Sequence, residues 1–154
     1  MEILAEKSKL SFIEWTIGLC VSLTLSIAFS VWLLDSKQGS INVLMLFALI
    51  AFVLCLISNA YSIIWELRRP NVLIYRQDDY LNIYYKKHWH KEQLKNIVGV
   101  DFINSQSGRT ILKKGTLTIK TEIKKYDILN VKNVAQACIK ISNILYFIKN
   151  RSNL

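Results

Sequence analysis

The sequence predicts a membrane protein of mixed α + β class, in which a two-helix transmembrane hairpin is followed by a basic, strand-rich domain that ends in one helix. Three observations predict it. Two long uncharged apolar runs come first, at 15–34 and 41–65. The apolar pattern then switches at Pro70 from continuous to alternating. Charge also divides unevenly: Met1 to Trp65 holds three Lys against four acids, and the remainder holds seventeen Lys and Arg against seven acids.

A chain of 154 residues has room for one domain plus an anchor. Hydrophobic residues make up 52% of it, and the excess lies before Trp65, which excludes a uniformly soluble chain. Each apolar run reaches the roughly 20 residues needed to cross a hydrocarbon core of about 30 Å. A secretory signal would have a shorter apolar stretch and a small-residue cleavage pattern, and none follows Leu34. The polar turn Asp35 to Ser40 separates the two spans. Lys7 and Lys9 precede the first and Arg68 and Arg69 follow the second, so the positive-inside rule places both termini in the cytoplasm. Trp15, Tyr61 and Trp65 then share the inner interface, with Trp32 at the outer one. The expected division is 1–69 for the hairpin and 70–154 for the cytoplasmic domain.

Gly18, Ser22, Ser26 and Ser30 recur every four residues and form a small-residue stripe on the first helix. Ala51, Cys55, Ser58, Asn59 and Ser62 offer a matching face on the second. The hairpin packing on itself is favoured over oligomerisation, and an interhelical hydrogen bond from Asn59 to a serine is expected.

Past Pro70 the strand candidates are Val72 to Tyr75, Tyr80 to Tyr85, Ile97 to Ile103, Gly115 to Thr121 and Ile123 to Leu129. Arg76 to Asp79 reads as the turn of the first hairpin, and Asn104 to Thr110 as a polar connection. Val134, Cys138, Ile141, Leu145 and Ile148 are spaced as one face of an amphipathic helix, with Asn130 as its N-cap.

Little in the chain suggests catalysis. Gly99, Gly108 and Gly115 are wrongly spaced for a phosphate loop. Cys20, Cys55 and Cys138 are isolated and suit a reducing compartment better than a zinc ribbon or a disulfide scaffold. His88 and His90 are two apart and would share one face of a strand, but a structural metal site needs about four ligands, so a surface turn or an interfacial patch around Trp89 is favoured. Asp101 and Asp127 read as solvated charges rather than an acid–base pair. No cofactor or metal is expected.

Basic residues fall into three clumps: Lys86, Lys87, Lys91 and Lys95; Arg109, Lys113 and Lys114; and Lys120, Lys124 and Lys125. Beside a membrane anchor such lysines suit anionic headgroups, and simple solubility accounts for them equally well. The candidate headgroup contacts are Arg68, Arg69, Lys86, Lys87, Lys91, Lys113, Lys114, Lys124 and Lys125. Nucleic acid is not the expected partner, although Tyr80, Tyr84 and Tyr85 on a sheet would keep RNA open.

The order of these pieces resembles the bacterial pleckstrin-homology-like membrane proteins. The resemblance rests on Leu73-Ile74-Tyr75 with Asp79 to Ile83, Leu94 to Ile97 with Val100, Gly115 to Thr121, and Tyr126-Asp127-Ile128 with Val131 and Val134. It implies a partly open β-barrel capped at one end by Val131 to Ile148, and a binding or scaffolding role in a bacterial cell membrane. The first hairpin loop carries Asp78 and Asp79 where eukaryotic pleckstrin domains often carry basic residues, which argues against inositol-lipid recognition. The resemblance further implies protection against bacteriocins or other membrane-active peptides. The alternative is an accessory or scaffolding subunit of a membrane transporter or envelope complex.

Overall fold

A computed structural model describes residues 1–35, 43–107 and 109–151. The turn predicted after Asp35, Gly108 and the tail beyond Arg151 lie outside the described residues. The chain divides into two compact units, Leu10–Arg69 and a second made of Met1–Lys9 together with Pro70–Leu154.

The first unit is two helices, α1 (Lys9–Asp35) and α2 (Val43–Arg68). Both are apolar on all sides, and both contain a stretch long and apolar enough to cross a membrane, Lys9–Trp32 and Leu46–Arg68. They run antiparallel: Phe29 meets Phe52 at 5.3 Å between ring centroids, and Asn59 Nδ2 donates to Ser22 Oγ at 3.4 Å. The hydrogen bond expected of Asn59 is therefore present, with Ser22 as its partner. Gly18 lies opposite the same amide, and a Cβ there would stand 3.1 Å from Asn59 Oδ1. Ser22, Ser26 and Ser30 each donate to the carbonyl four residues back, at 2.8 Å. The stripe is thus small and internally satisfied, which lets the backbones approach without stranding a hydroxyl.

Among the described residues the second unit contains seven antiparallel strands in two sheets and a C-terminal helix. Sheet A has the order β1 (Glu2–Glu6), β2 (Val72–Gln77), β3 (Tyr80–Tyr85), β4 (His88–Gln93). Sheet B has the order β5 (Ile97–Ser107), β6 (Thr110–Thr121), β7 (Lys125–Lys132), and α3 spans Val134–Arg151. The sheets do not join into a closed barrel. Alternation brings Ile74, Leu81 and Ile83 of sheet A and Leu117, Ile119 and Ile128 of sheet B into one core with α3. The helix contributes Val134, Cys138, Ile141 and Leu145 as its spacing predicts, with Ile148 packed at the margin. Full burial of each such aliphatic side chain is worth roughly 1.5–3 kcal/mol.

Two strands, one connection and one cap depart from the sequence reading; the connection is Asn104 to Thr110, most of which is paired strand because β5 runs to Ser107 and β6 starts at Thr110. β1 pairs with β2 from Glu2↔Arg76 to Glu6↔Val72, so the first residues belong with the sheets and a division at 69/70 cuts the unit's first strand away. Beyond it, Lys7 N–H donates to the Asn71 carbonyl and Ser8 N–H to the Asn130 carbonyl, each at 2.8 Å. The helices are therefore an insertion between adjacent strands of one sheet. β4 occupies the His88 segment, which the sequence reading placed in a turn or interfacial patch. Asn130 is not a helix cap: α3 begins at Val134, and Asn130 lies within β7 at φ 56°.

Candidate functional site

Strand register decides which basic residues come together. Glu6↔Val72 is the last pair of β1 with β2, and Tyr85↔His88 is the last pair of β3 with β4. Ile74↔Ile83 sets the step between them, so Val72 falls level with Tyr85. The turn Lys86–Lys87 therefore lies at the end of sheet A where the chain departs for α1 and returns from α2, between one and two strand spacings, or roughly 5–10 Å, from Val72. The acidic turn Asp78–Asp79 lies at the opposite end, where Leu94 N–H donates to the Asp79 carbonyl at 2.9 Å.

Lys86 and Lys87 have φ of 48° and 71°, which makes the connection a two-residue hairpin turn of the kind that favours Asn-Gly. Holding two lysines in the left-handed region costs on the order of 1 kcal/mol each. Both side chains are exposed, and Lys86 Nζ stands 5.4 Å over the Tyr85 ring.

The other predicted contacts are dispersed. Arg68 is exposed in the last turn of α2, whereas Arg69 is buried with its guanidinium 5.3 Å over Trp65. On β6, Lys113 is exposed and Lys114 is buried, so Lys114 does not present its charge to a surface. Lys124 is exposed in a turn closed by its hydrogen bonds with Thr121, beside the fully projecting Ile123. Lys125 pairs with Asp127 at 3.1 Å.

The two acids considered in the sequence share one row of sheet B but do not meet, since they lie on either side of Thr118, two strand spacings apart. Each is matched by a cation: Lys120 holds Asp101 at 2.6 Å, an interaction that raises the lysine pKa. The Thr118 hydroxyl, at 2.6 Å, is the main cause holding Asp127 below the usual carboxylate range, with Lys125 adding to it. Each carboxylate is thus ion-paired at the surface of sheet B.

His88 and His90 both lie on β4. Among the described residues no group of three or more His, Cys, Asp or Glu side chains converges. His90 instead packs its ring 5.5 Å from Tyr126, which also touches Tyr85 at 5.4 Å and donates its hydroxyl to Glu92. Burial first, and the Glu92 hydrogen bond second, push the Tyr126 pKa up to about 12. The Cys138 thiol is likewise pushed up by burial. A cleft of about 220 Å³ between β1 and the start of α3 falls below the roughly 300–1,000 Å³ of small-molecule sites.

The opposite face of sheet A carries a feature that the sequence reading missed. Tyr75, Asn82 and Lys91 are cross-strand partners in one row. Tyr84 and Trp89 are partners in the next row toward the Lys86–Lys87 turn, and Tyr80 and Gln93 in the row beyond. Asn82 is therefore central, ringed by Tyr75, Tyr80, Tyr84 and Trp89. Trp89 meets Tyr75 and Tyr84 edge-on, at 5.2 and 5.4 Å, and Lys91 Nζ sits 4.1 Å over Tyr80. Asn82 is only 8% exposed, and its Nδ2 has no hydrogen-bond partner. The available signal was the alternation Tyr80, Asn82, Tyr84, which puts all three on one face once the strand is placed.

Compared with protein-family models, with curated proteins and with solved structures, the chain matches none.

Proposed function

We propose that this chain is a non-enzymatic integral membrane protein whose two helices span a bacterial membrane and whose pleckstrin-like sheet unit is a basic cytoplasmic binding module. One observation carries the reading: of the apolar stretches in α1 and α2, only 6% and 0% is buried. The core helices of a soluble protein would be mostly buried. Large residues such as Ile17, Ile27, Leu54 and Ile57 are more than half exposed, a surface that lipid accepts and water does not.

The module's role in this reading is to hold anionic headgroups through the Lys86–Lys87 turn, each lysine near the surface contributing about 1 kcal/mol. Its physiological task is protection of the membrane against bacteriocins or other membrane-active peptides. Support for that task is the resemblance of the strand and helix segments set out above.

Expression in a peptide-sensitive bacterial host tests both levels. The chain is expected in the membrane fraction after an alkaline wash, and survival under pore-forming peptides is expected to rise. Replacing Lys86 by Asn and Lys87 by Gly keeps the turn and removes both charges, so protection should fall while the fold persists. Release of the chain into plain buffer sinks the membrane reading. Unchanged killing across a panel of peptides sinks the protective role, and a stoichiometric membrane partner in detergent pulldown would assign the chain to a complex instead.

A further inference from the structure

We infer that the Tyr–Trp face of sheet A is a binding site for the phosphate ester of an anionic phospholipid headgroup, with Asn82 and Lys91 as its polar contacts. The inference rests on the membrane reading above and adds a site distinct from the Lys86–Lys87 turn.

Two independent features point to a ligand. The first is the unpartnered Asn82 amide, more than nine-tenths buried at the centre of the face. A buried donor without an acceptor is costly, and a ligand oxygen would relieve it. The second is the surround: four amphipathic rings and one ammonium group, the residue types that settle where apolar and polar media meet. Lys91 stands directly across from Asn82 in the register, so one phosphate can accept from both. The Lys91 arm, at present laid over Tyr80, is exposed and free of ion pairing with any described acid, so it can swing to the ligand.

Charge and position favour lipid over the other planar or anionic partners. Trp89 and Tyr84 form the row nearest the Lys86–Lys87 turn, so the aromatic face runs without interruption into the cationic end of the sheet. Successive stacked bases would need rings that share a plane, whereas Trp89 is inclined at 64° and 66° to Tyr75 and Tyr84. Phosphate alone would leave the rings without a role.

The full chain in uncharged detergent provides the test, with the Asn82 side-chain amide followed by NMR. Short-chain phosphatidylglycerol is expected to shift that resonance saturably, and short-chain phosphatidylcholine and inorganic phosphate are expected to shift it far less. Lys91→Gln should weaken binding roughly tenfold, the loss of one charge-assisted hydrogen bond. Asn82→Leu should abolish the saturable response seen at the neighbouring Tyr75 and Lys91 amides without lowering the melting temperature, since no hydrogen bond is lost. Equal shifts from phosphatidylglycerol and phosphatidylcholine, tighter binding of an oligouridylate, or wild-type affinity in both variants would each overturn the site. A chain that stays membrane-bound yet shows no lipid response fails this inference alone. A chain soluble without detergent fails the membrane reading beneath it.

Discussion

The two units use the same aliphatic side chains in opposite ways. In the sheet unit Leu73, Ile74, Leu81, Ile83, Leu117 and Ile119 are all fully buried. In the helical unit Ile17, Ile27, Leu54 and Ile57 point outward, and the inside is lined by Gly18, Ser22 and Asn59. One unit is organised by the removal of apolar surface from water. The other packs by close backbone approach, with Asn59 donating to Ser22 across the helices. The contrast teaches that the same residue types line the inside of one unit and the outside of the other, a difference that the proposed membrane setting accounts for.

Glycine gives the largest expected effect. A Cβ on Gly115 would meet the Ile103 carbonyl oxygen at 2.1 Å and Val134 Cγ1 at 2.8 Å, both on fixed elements. Gly115→Val should destabilise the sheet unit by about 3 kcal/mol, seen as early loss of the strand signal on heating. Gly18→Ala, whose nearest neighbour is the pivoting amide of Asn59, should cost far less; equal losses would break the comparison.

Next in size is a test of solvent. Leu54 and Ile123 are both exposed, the first in α2 and the second at the tip of the β6–β7 turn. Leu54→Lys should lower membrane insertion by about 2.5 kcal/mol, and Ile123→Lys should leave stability within about 0.5 kcal/mol. Like responses at both positions would remove the distinction between the units.

Alkali should reach the sheet unit selectively. Tyr126 keeps its proton to about pH 12 in the fold, against an ordinary value of 10.0, so the folded state binds more protons between those limits. Stability is complete below pH 10 and falls as pH rises toward 12, by at most about 1.4 kcal/mol per unit. Denaturant titrations at stepped pH should show this slope in the native chain and lose it in Tyr126→Phe.

The smallest effect belongs to the helices. Ser22→Ala removes the acceptor of the Asn59 amide and should cost about 0.6 kcal/mol, read as a modest fall in resistance to unfolding in detergent.

The parts of the fold legible from sequence were those with a strong local period. Both helices, the strands around Leu73, Ile83, Ile119 and Ile128, and the buried stripe of α3 followed from spacing alone. β4 was illegible because His88 to Gln93 has no β-branched residue and its turn is Lys86–Lys87, without Gly, Asn or Pro. β1 was illegible because five residues abutting a long helix carry no period of their own. Of the candidate contacts, exposure separated Lys86, Lys87 and Lys124 from the buried Arg69 and Lys114, and sequence gives no measure of exposure for an isolated cation.

Composition and periodicity determined that this chain has two long apolar helices, an antiparallel strand region and an amphipathic terminal helix, because those signals are written within one element at a time. Only the tertiary structure decided that the helices interrupt a sheet, that a lysine turn marks the end from which they leave, and that Asn82 is enclosed by four rings. Each of these depends on which strand lies beside which, and register is a property of pairs of segments far apart in the chain.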